Sequence, residues 1–337
     1  MRSARTVTAI DAHAGGEPLR IVTAGSGGVP ALPGRTLLER RTYLREHYDE
    51  LRRFLLWEPR GHTDMYGAVL TPLDNPAADY GVIFLTNEGY STMCGHGIIA
   101  LTSTLIETGT VPVSGDEASI VYDTPAGLVR AGATIVDGRV GAVRFRNVPA
   151  FRLHANVEVR TSVGAVGVDV AFGGAWYAIV PAAALEVDVE PRQATRLAAL
   201  GMEIKRAVND AIRVVHPEQP HLAGLYGTII TAPATSSDAG GRNVTVYADG
   251  AIDRSPCGTG TSARLACLAA DGALSTGDEF VHESILGSRF TGRILGDTVV
   301  GGSAGVETEI SGRGHLTALH TFLADPTDEL CDGFLLG

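Results

Sequence analysis

The sequence predicts two α+β domains of one design, each a curled sheet of short strands around a central helix. Three observations carry that expectation. A Cys-Gly-x-Gly turn occurs twice, as Cys94-Gly95-His96-Gly97 and Cys257-Gly258-Thr259-Gly260, each followed by a helix-like run and a glycine fifteen positions after the cysteine, Gly109 and Gly272. Around these turns, other short segments recur in the same order at a nearly constant offset. The chain also has the length and composition for two cores: 337 residues, 45% of them apolar, with 42 glycines to make tight turns between short strands.

The recurring segments run through most of the chain. Gly15-Gly16 followed by Ile21-Val22 is echoed by Gly173-Gly174 followed by Ile179-Val180. Tyr66-Gly67-Ala68-Val69 is echoed by Tyr226-Gly227-Thr228-Ile229, and Phe84 and Tyr247 each precede their cysteine by ten positions. Gly115-Asp116-Glu117 returns as Gly277-Asp278-Glu279, and Asp123-Thr124-x-x-Gly127 as Glu283-Ser284-x-x-Gly287. Chance explains any one of these echoes but not six in one order, so the chain descends from a duplication. The expected boundaries are 1–160 for the domain carrying Cys94 and 161–319 for the domain carrying Cys257.

In order along the chain, Val7–Ile10 and Leu19–Val22 read as strands flanking a turn at Asp11–Gly16. Apolar spacing over residues 36–56 predicts one helix with a charged outer face. Strands follow at Ala68–Thr71 and Val82–Thr86, then a helix from His96 to Glu107 and alternating strands over 118–155. The second copy begins near 165, with a helix at Arg192–Ala211, strands at 225–232 and 243–248, the helix behind Cys257 to Ala270, and strands beyond. No Pro/Gly/Ser-rich linker separates the copies, which predicts domains in direct contact.

A net charge of −11 argues against nucleic acid or an anionic membrane as partner. Met1–Val7 has no apolar core of the kind a secretory leader needs, and the most apolar stretch, Val170–Leu185, is interrupted by Gly173-Gly174 and Pro181. A cytoplasmic protein with four reduced thiols is expected. Of these, Cys267 sits deep in an apolar helix and reads as a small hydrophobe, and Cys331 lies in the tail.

Cys94 and Cys257 differ from the other two because glycines bound them on a turn built for close approach. A thiol at a helix start is placed for ionisation by the helix dipole and free N–H groups, with a pKa of roughly 3.5–7.5. Cys94-x-His96 alone suggests a metal site, but the second copy has Thr259 in place of His96 and no four-ligand cluster lies nearby, so neither metal nor cofactor is expected. A Cys–His nucleophilic hydrolase leaves the second thiol unexplained. Two equivalent thiols suit inversion of a carbon beside a carboxylate, one taking a proton from one face while the other delivers one to the opposite face. The N–H groups of Gly95, His96, Gly258 and Thr259 would hold the carboxylate and its developing charge. Asp253 either pairs with a substrate ammonium or stabilises the turn.

Met93-Cys94-Gly95-His96-Gly97 and Asp253-Arg254-Ser255-Pro256-Cys257-Gly258-Thr259-Gly260 resemble the two signature segments of the proline racemase family. That family contains proline racemases, 4-hydroxyproline 2-epimerases and trans-3-hydroxyproline dehydratases. The resemblance also covers Gly15-Gly16-Glu17-Pro18, Glu58-Pro59-Arg60-Gly61-His62, Asn87-Glu88-Gly89-Tyr90 and Asp332-Gly333-Phe334-Leu335-Leu336. It implies a diaminopimelate-epimerase-like fold, two pseudo-symmetric domains with the site in the cleft between them, and cofactor-independent catalysis by Cys94 and Cys257. It implies a C-terminal segment, 320–337, that returns to the first domain. The partner it implies is a small imino acid, and a homodimer is the expected assembly.

Within the family, dehydratases typically carry threonine at the position of Cys257, so retaining both cysteines favours a racemase or epimerase of proline or hydroxyproline. The alternatives are the trans-3-hydroxy-L-proline dehydratase and a non-catalytic imino-acid-binding protein. The resemblance places Tyr66 and Tyr247 at pocket positions that separate proline from hydroxyproline enzymes. Tyrosine there fits neither the phenylalanine of the racemases nor the smaller residues of the epimerases. His221, or His216, is a further candidate for the substrate.

Overall fold

A computed structural model describes residues 5–22, 29, 31–72 and 75–336. Residues 1–4, the start of the run read for a leader, lie outside that set. The described chain separates into two compact units. The first takes the residues up to Thr92, Gly97–Val143 and those from Arg313 onward. The second takes Met93–His96 and Arg144–Gly312.

The first unit is built from β1 (Arg5–Ala14), β2 (Glu17–Val22), α1 (Leu37–His47), α2 (Asp49–Leu56), β3 (Tyr66–Thr71), β4 (Tyr80–Thr86), β5 (Tyr90–Ser91), α3 (Gly95–Glu107), β6 (Glu117–Thr124), β7 (Gly127–Val136) and β8 (Arg139–Arg146), within which the chain crosses to the second unit. The second unit contains β9 (Ala150–Thr161), β10 (Gly164–Phe172), β11 (Trp176–Pro181), α4 (Ala194–Ala211), β12 (Gly227–Ala232), β13 (Gly241–Tyr247), β14 (Ala251–Asp253), α5 (Gly258–Ala270), β15 (Glu279–Glu283), β16 (Arg289–Val300) and β17 (Ser303–Gly312). The last strand, β18 (Gly314–Ala324), goes back to the first unit and pairs antiparallel with β1 along its length, Arg5 opposite Ala324 and Ala14 opposite Gly314.

Strand pairing repeats between the units. In the first, β1–β2 is antiparallel, β2–β3 parallel, β3–β4 antiparallel, β4–β6 parallel and β6–β7 antiparallel. In the second, β10–β11, β11–β12, β12–β13, β13–β15 and β15–β16 follow the same alternation. The second unit then closes on itself through β16–β17, β17–β9 and β9–β10. That ring leaves no open edge among these strands, the usual way a curled sheet avoids exposing unpaired backbone.

α3 and α5 are buried along most of their length. In α3 the residues from Gly95 to Ile106 are all buried, and its polar members turn their hydroxyls inward, Ser103 to Ile99 O and Thr102 to the Tyr122 hydroxyl. In α5 Gly258–Ala263 and Leu265–Cys267 are buried. Both helices have 13 residues and start one position after a cysteine. Both are followed by a glycine with positive φ, Gly109 at 71° and Gly272 at 70°, a conformation that ends a helix without strain only for glycine. Among the described residues no helix is long and apolar enough to cross a membrane.

Several elements differ from the sequence reading. The single helix over 36–56 is two, broken at Tyr48 (φ −144°). Thr36 caps α1, while the break swings α2 so that Leu51, Phe54 and Leu55 join Val7, Ile83 and Leu85 in the core. Asp11–Ala14 extend β1 and leave only Gly15-Gly16 as the turn. The units part at Val143/Arg144 and Gly312/Arg313, earlier than the expected 160/161 and 319/320. The reason is β9, which pairs with β10 and β17 of the second unit, and β18, which pairs with β1 as a whole strand.

Candidate active site

Both cysteine turns pack with the second unit, because Met93–His96 groups there and Cys257 leads into its central helix. Their glycines touch: a Cβ placed on Gly95 would lie 2.5 Å from the Gly258 Cα, and one on Gly258 2.6 Å from the Gly95 Cα. Two helix starts therefore come together at residues with no side chain, which explains glycine at both positions better than turn formation does. Gly173 and Gly174 press against the same place, where an added Cβ would strike the Thr259 carbonyl and, 3.4 Å away, Met93 Cβ.

Cys257 is the N-cap of α5, and its sulfur accepts from Gly260 N at 3.4 Å. Its backbone is at φ 64°, ψ 108°, a strained conformation for any residue with a Cβ and one that persists only where neighbours enforce it. Asp253 and Ser255 enforce it. Ser255 N and Oγ donate to Asp253 Oδ1 at 2.8 and 2.7 Å, and Cys257 N donates to Ser255 Oγ at 3.1 Å. Asn243 donates to Pro256 O from the other side. Asp253 thus does stabilise the turn, and its position beside Cys257 leaves the substrate-facing role compatible with this one.

The electrostatics of Cys257 reverse the sequence reading. A thiol ionised by the helix dipole was expected, but the Cys257 thiol is pushed up to about 12, first by burial and then by the Asp253 carboxylate. The Tyr177 hydroxyl and the Gly260 N–H oppose that shift without cancelling it. Asp253 itself is raised to about 6 by burial, held down in part by the Ser255 and Cys257 bonds. A dipole at one helix end is worth about 0.3–2 kcal/mol, less than the cost of removing an anion from water, so desolvation wins.

Cys94 has a different neighbour. Its sulfur lies 3.3 Å from His96 Nδ1, and both residues are buried. Two positions after Cys257 stands Thr259, whose Oγ1 lies 3.8 Å from the Cys257 sulfur and 2.6 Å from the Tyr177 hydroxyl. Tyr177, 3.6 Å from the same sulfur, was not singled out from the sequence. The available signal was one hydroxyl inside the apolar strand Trp176-Tyr177-Ala178-Ile179-Val180. Tyr177 packs edge-on to Tyr226, and Tyr226 stacks on the buried Tyr247 at 5.7 Å, so three tyrosine rings follow one another outward from the Cys257 sulfur.

The remaining candidates are scattered. Tyr66 lies in the first unit, where its hydroxyl donates to Ser91 Oγ at 2.6 Å and its ring meets Phe84 edge-on. His221 is exposed in the loop after α4. His216 is caged by Phe151, Phe172 and Trp176, with Glu218 N donating to its Nδ1, and burial lowers its pKa, the signs of a packing residue. Cys267 is buried in the α5 core, its thiol raised to about 12 by burial, and Cys331 is half-buried in the tail, its carbonyl accepting from Arg60.

Comparison with known proteins agrees with this geometry. Residues 9–335 match the proline racemase family model. Over 337 residues the chain is 45% identical to a trans-3-hydroxy-L-proline dehydratase from Bacillus cereus, with 100% of both chains covered. It is 43% identical to a 3-hydroxyproline 2-epimerase from Burkholderia multivorans, again over 100% of both. A hydroxyproline epimerase from Agrobacterium vitis, solved with bound trans-4-hydroxy-L-proline, superposes with a TM-score of 0.93 at 35% identity, covering 100% of this chain and 96% of that one. The fold is diaminopimelate-epimerase-like, as the motifs implied. With its signature cysteines on paired helix starts and its whole length aligned to such enzymes, the chain belongs to the proline racemase family.

Proposed function

We propose that the protein inverts Cα of proline or a hydroxyproline without a cofactor, with Cys94 and Cys257 as the two acid/base groups. The observation that carries this is the pair of buried thiols, each one residue before a 13-residue buried helix, with Gly95 and Gly258 in contact. The first-turn N–H groups of such helices lie outside the intrahelical ladder and point past the cysteines, suited to a carboxylate. Gly95, His96, Gly258 and Thr259 would supply them.

Asp253 is the expected partner of the substrate ammonium. A cation beside it would restore its carboxylate and relieve the push that it exerts on Cys257, so substrate binding itself would bring the thiol toward ionisation. The thiolate then takes the Cα proton while the opposite thiol gives up its own, and the product leaves the two cysteines with exchanged protonation states. Tyr66, Tyr247 and His221 are the proposed contacts to the rest of the ring, and a small imino acid is the proposed ligand.

A second reading, dehydration of trans-3-hydroxy-L-proline, is favoured by the 45% identity to an enzyme of that name. Both begin with loss of the Cα proton. They differ in whether a second acid reprotonates the opposite face, and Cys257 is a residue that supplies one.

Incubation in D₂O with L-proline, trans-4-hydroxy-L-proline and trans-3-hydroxy-L-proline, followed by chiral chromatography and mass spectrometry, distinguishes them. The expected result is Cα deuterium with inversion of at least one substrate, reduced about 10²–10⁴-fold in both Cys94→Ser and Cys257→Ser. Water loss from the 3-hydroxy compound without inversion would establish the dehydratase instead. No exchange with any of the three would remove both.

A further inference from the structure

The two cysteine turns are copies, yet the groups beside their sulfurs are not. At Cys94 the neighbour is the His96 imidazole. At Cys257 it is a pair of hydroxyls, Tyr177 at 3.6 Å and Thr259 at 3.8 Å, joined to each other at 2.6 Å. The echo of Ile21-Val22 in Ile179-Val180 sets Leu19 at the place of Tyr177, so the first copy of the strand has an apolar side chain where the second has a phenol hydroxyl beside the sulfur.

We infer that Tyr177 is a positioning residue for Cys257: its hydroxyl, oriented by Thr259, donates to the Cys257 sulfur and sets how readily that thiol gives up its proton. The inference rests on Cys257 being an acid/base group of the proposed reaction. Tyr177 is fully buried, and its phenol is held well above the ordinary tyrosine value, first by desolvation, so it keeps its proton while the sulfur changes state. In the inferred arrangement the Thr259 Oγ–H donates to the phenol oxygen, 2.6 Å away, and the phenol O–H faces Sγ. When Cys257 is a thiolate the bond is charge-assisted, and when it is a thiol the bond is weak, so the hydroxyl favours ionisation. The groups facing the sulfur are Tyr177, the Gly260 N–H and the Thr245 hydroxyl on the donating side and the Asp253 carboxyl on the opposing side. Removal of Tyr177 would leave Asp253 and burial opposed by Gly260 and Thr245.

The consequence is a site with two unequal thiols. Cys94 lies beside an imidazole ring, whereas Cys257 lies beside hydroxyls.

The test is Tyr177→Phe, which keeps the ring against Tyr226 and removes only the oxygen. Iodoacetamide alkylation is followed site by site by peptide mass spectrometry at pH 8–9, well below the Cys257 value, where the rate tracks the thiolate fraction. The expected result is Cys257 alkylation slowed about three- to tenfold, the size of one lost hydrogen bond, with Cys94 alkylation unchanged. Thr259→Val should give a smaller slowing in the same direction. Unchanged Cys257 alkylation in Tyr177→Phe overturns the inference, as does equal slowing at both cysteines, which would indicate general disturbance of the turn. Should Tyr177→Phe not fold, Thr259→Val decides alone on the same readout. Because alkylation reads the thiol and not turnover, an active Cys257→Ser enzyme would remove the two-cysteine reaction without touching this result.

Discussion

Asp253 and Cys257 share one buried turn, and each shifts the protonation of the other. The Asp253 carboxyl titrates at about 6, above its ordinary 3.8, because burial disfavours its charge. The sign follows. Its neutral form contributes stability that is complete below about pH 4 and lost as pH rises through about 6. The proposed pairing of Asp253 with an ammonium needs the charged form, so kcat/KM for either enantiomer is expected to fall as pH drops below about 6, with that limb absent in Asp253→Asn, as a pH–rate profile would show. Most of the candidate site was legible at this scale. Cys94 and Cys257 were visible because the same glycine-bounded turn surrounds both, and Asp253 because of its spacing. Tyr177 was not, because its approach to Cys257 depends on a strand 80 residues earlier in the chain, and no local pattern encodes that pairing.

The helix starts decide the geometry one level up. Gly95 and Gly258 meet Cα to Cα, so neither α3 nor α5 can shift along its axis without moving a cysteine. Gly258→Ala puts a methyl group 2.6 Å from the Gly95 Cα and 3.0 Å from its carbonyl carbon, backbone atoms that cannot swing aside as a flexible side chain would. The expected outcome is a loss of about 100-fold or more in inversion, since displacement of a reacting group by about 1 Å costs that much. A drop of several degrees in Tm would accompany it, measured by circular dichroism beside steady-state kinetics. At this scale the sequence was a good guide to which elements exist and a weaker one to where they break. The apolar spacing over 36–56 runs on through Tyr48, and only the packing of α2 shows that the helix must stop there.

Across the whole molecule, the duplication read from six short echoes appears as two series of strand pairings with one alternation of parallel and antiparallel neighbours. The place where the units exchange chain was less visible, because β8 and β18 look like any other alternating strand. β18 gives the first unit its pairing for the whole of β1, and behind it Arg60 bonds to the Cys331 carbonyl and Glu58 pairs with Phe334. A chain ending at Gly312 is therefore expected to keep the β9–β17 ring but to lose protection of the β1 amides. Hydrogen exchange resolved by peptide would show fast exchange over residues 5–14 and slow exchange over 227–247.

The same return of the chain sets an order of events during synthesis. Every strand of the second unit's ring has been made once Gly312 is added, whereas β1, made before all of them, has to wait for Gly314–Ala324. At about 5–20 residues per second, the 300 residues between Ala14 and Gly314 take roughly 15–60 s. The half that begins first on the ribosome is thus the half that folds last, and during that interval its N-terminal strand is the part of the nascent chain most in need of a temporary cover.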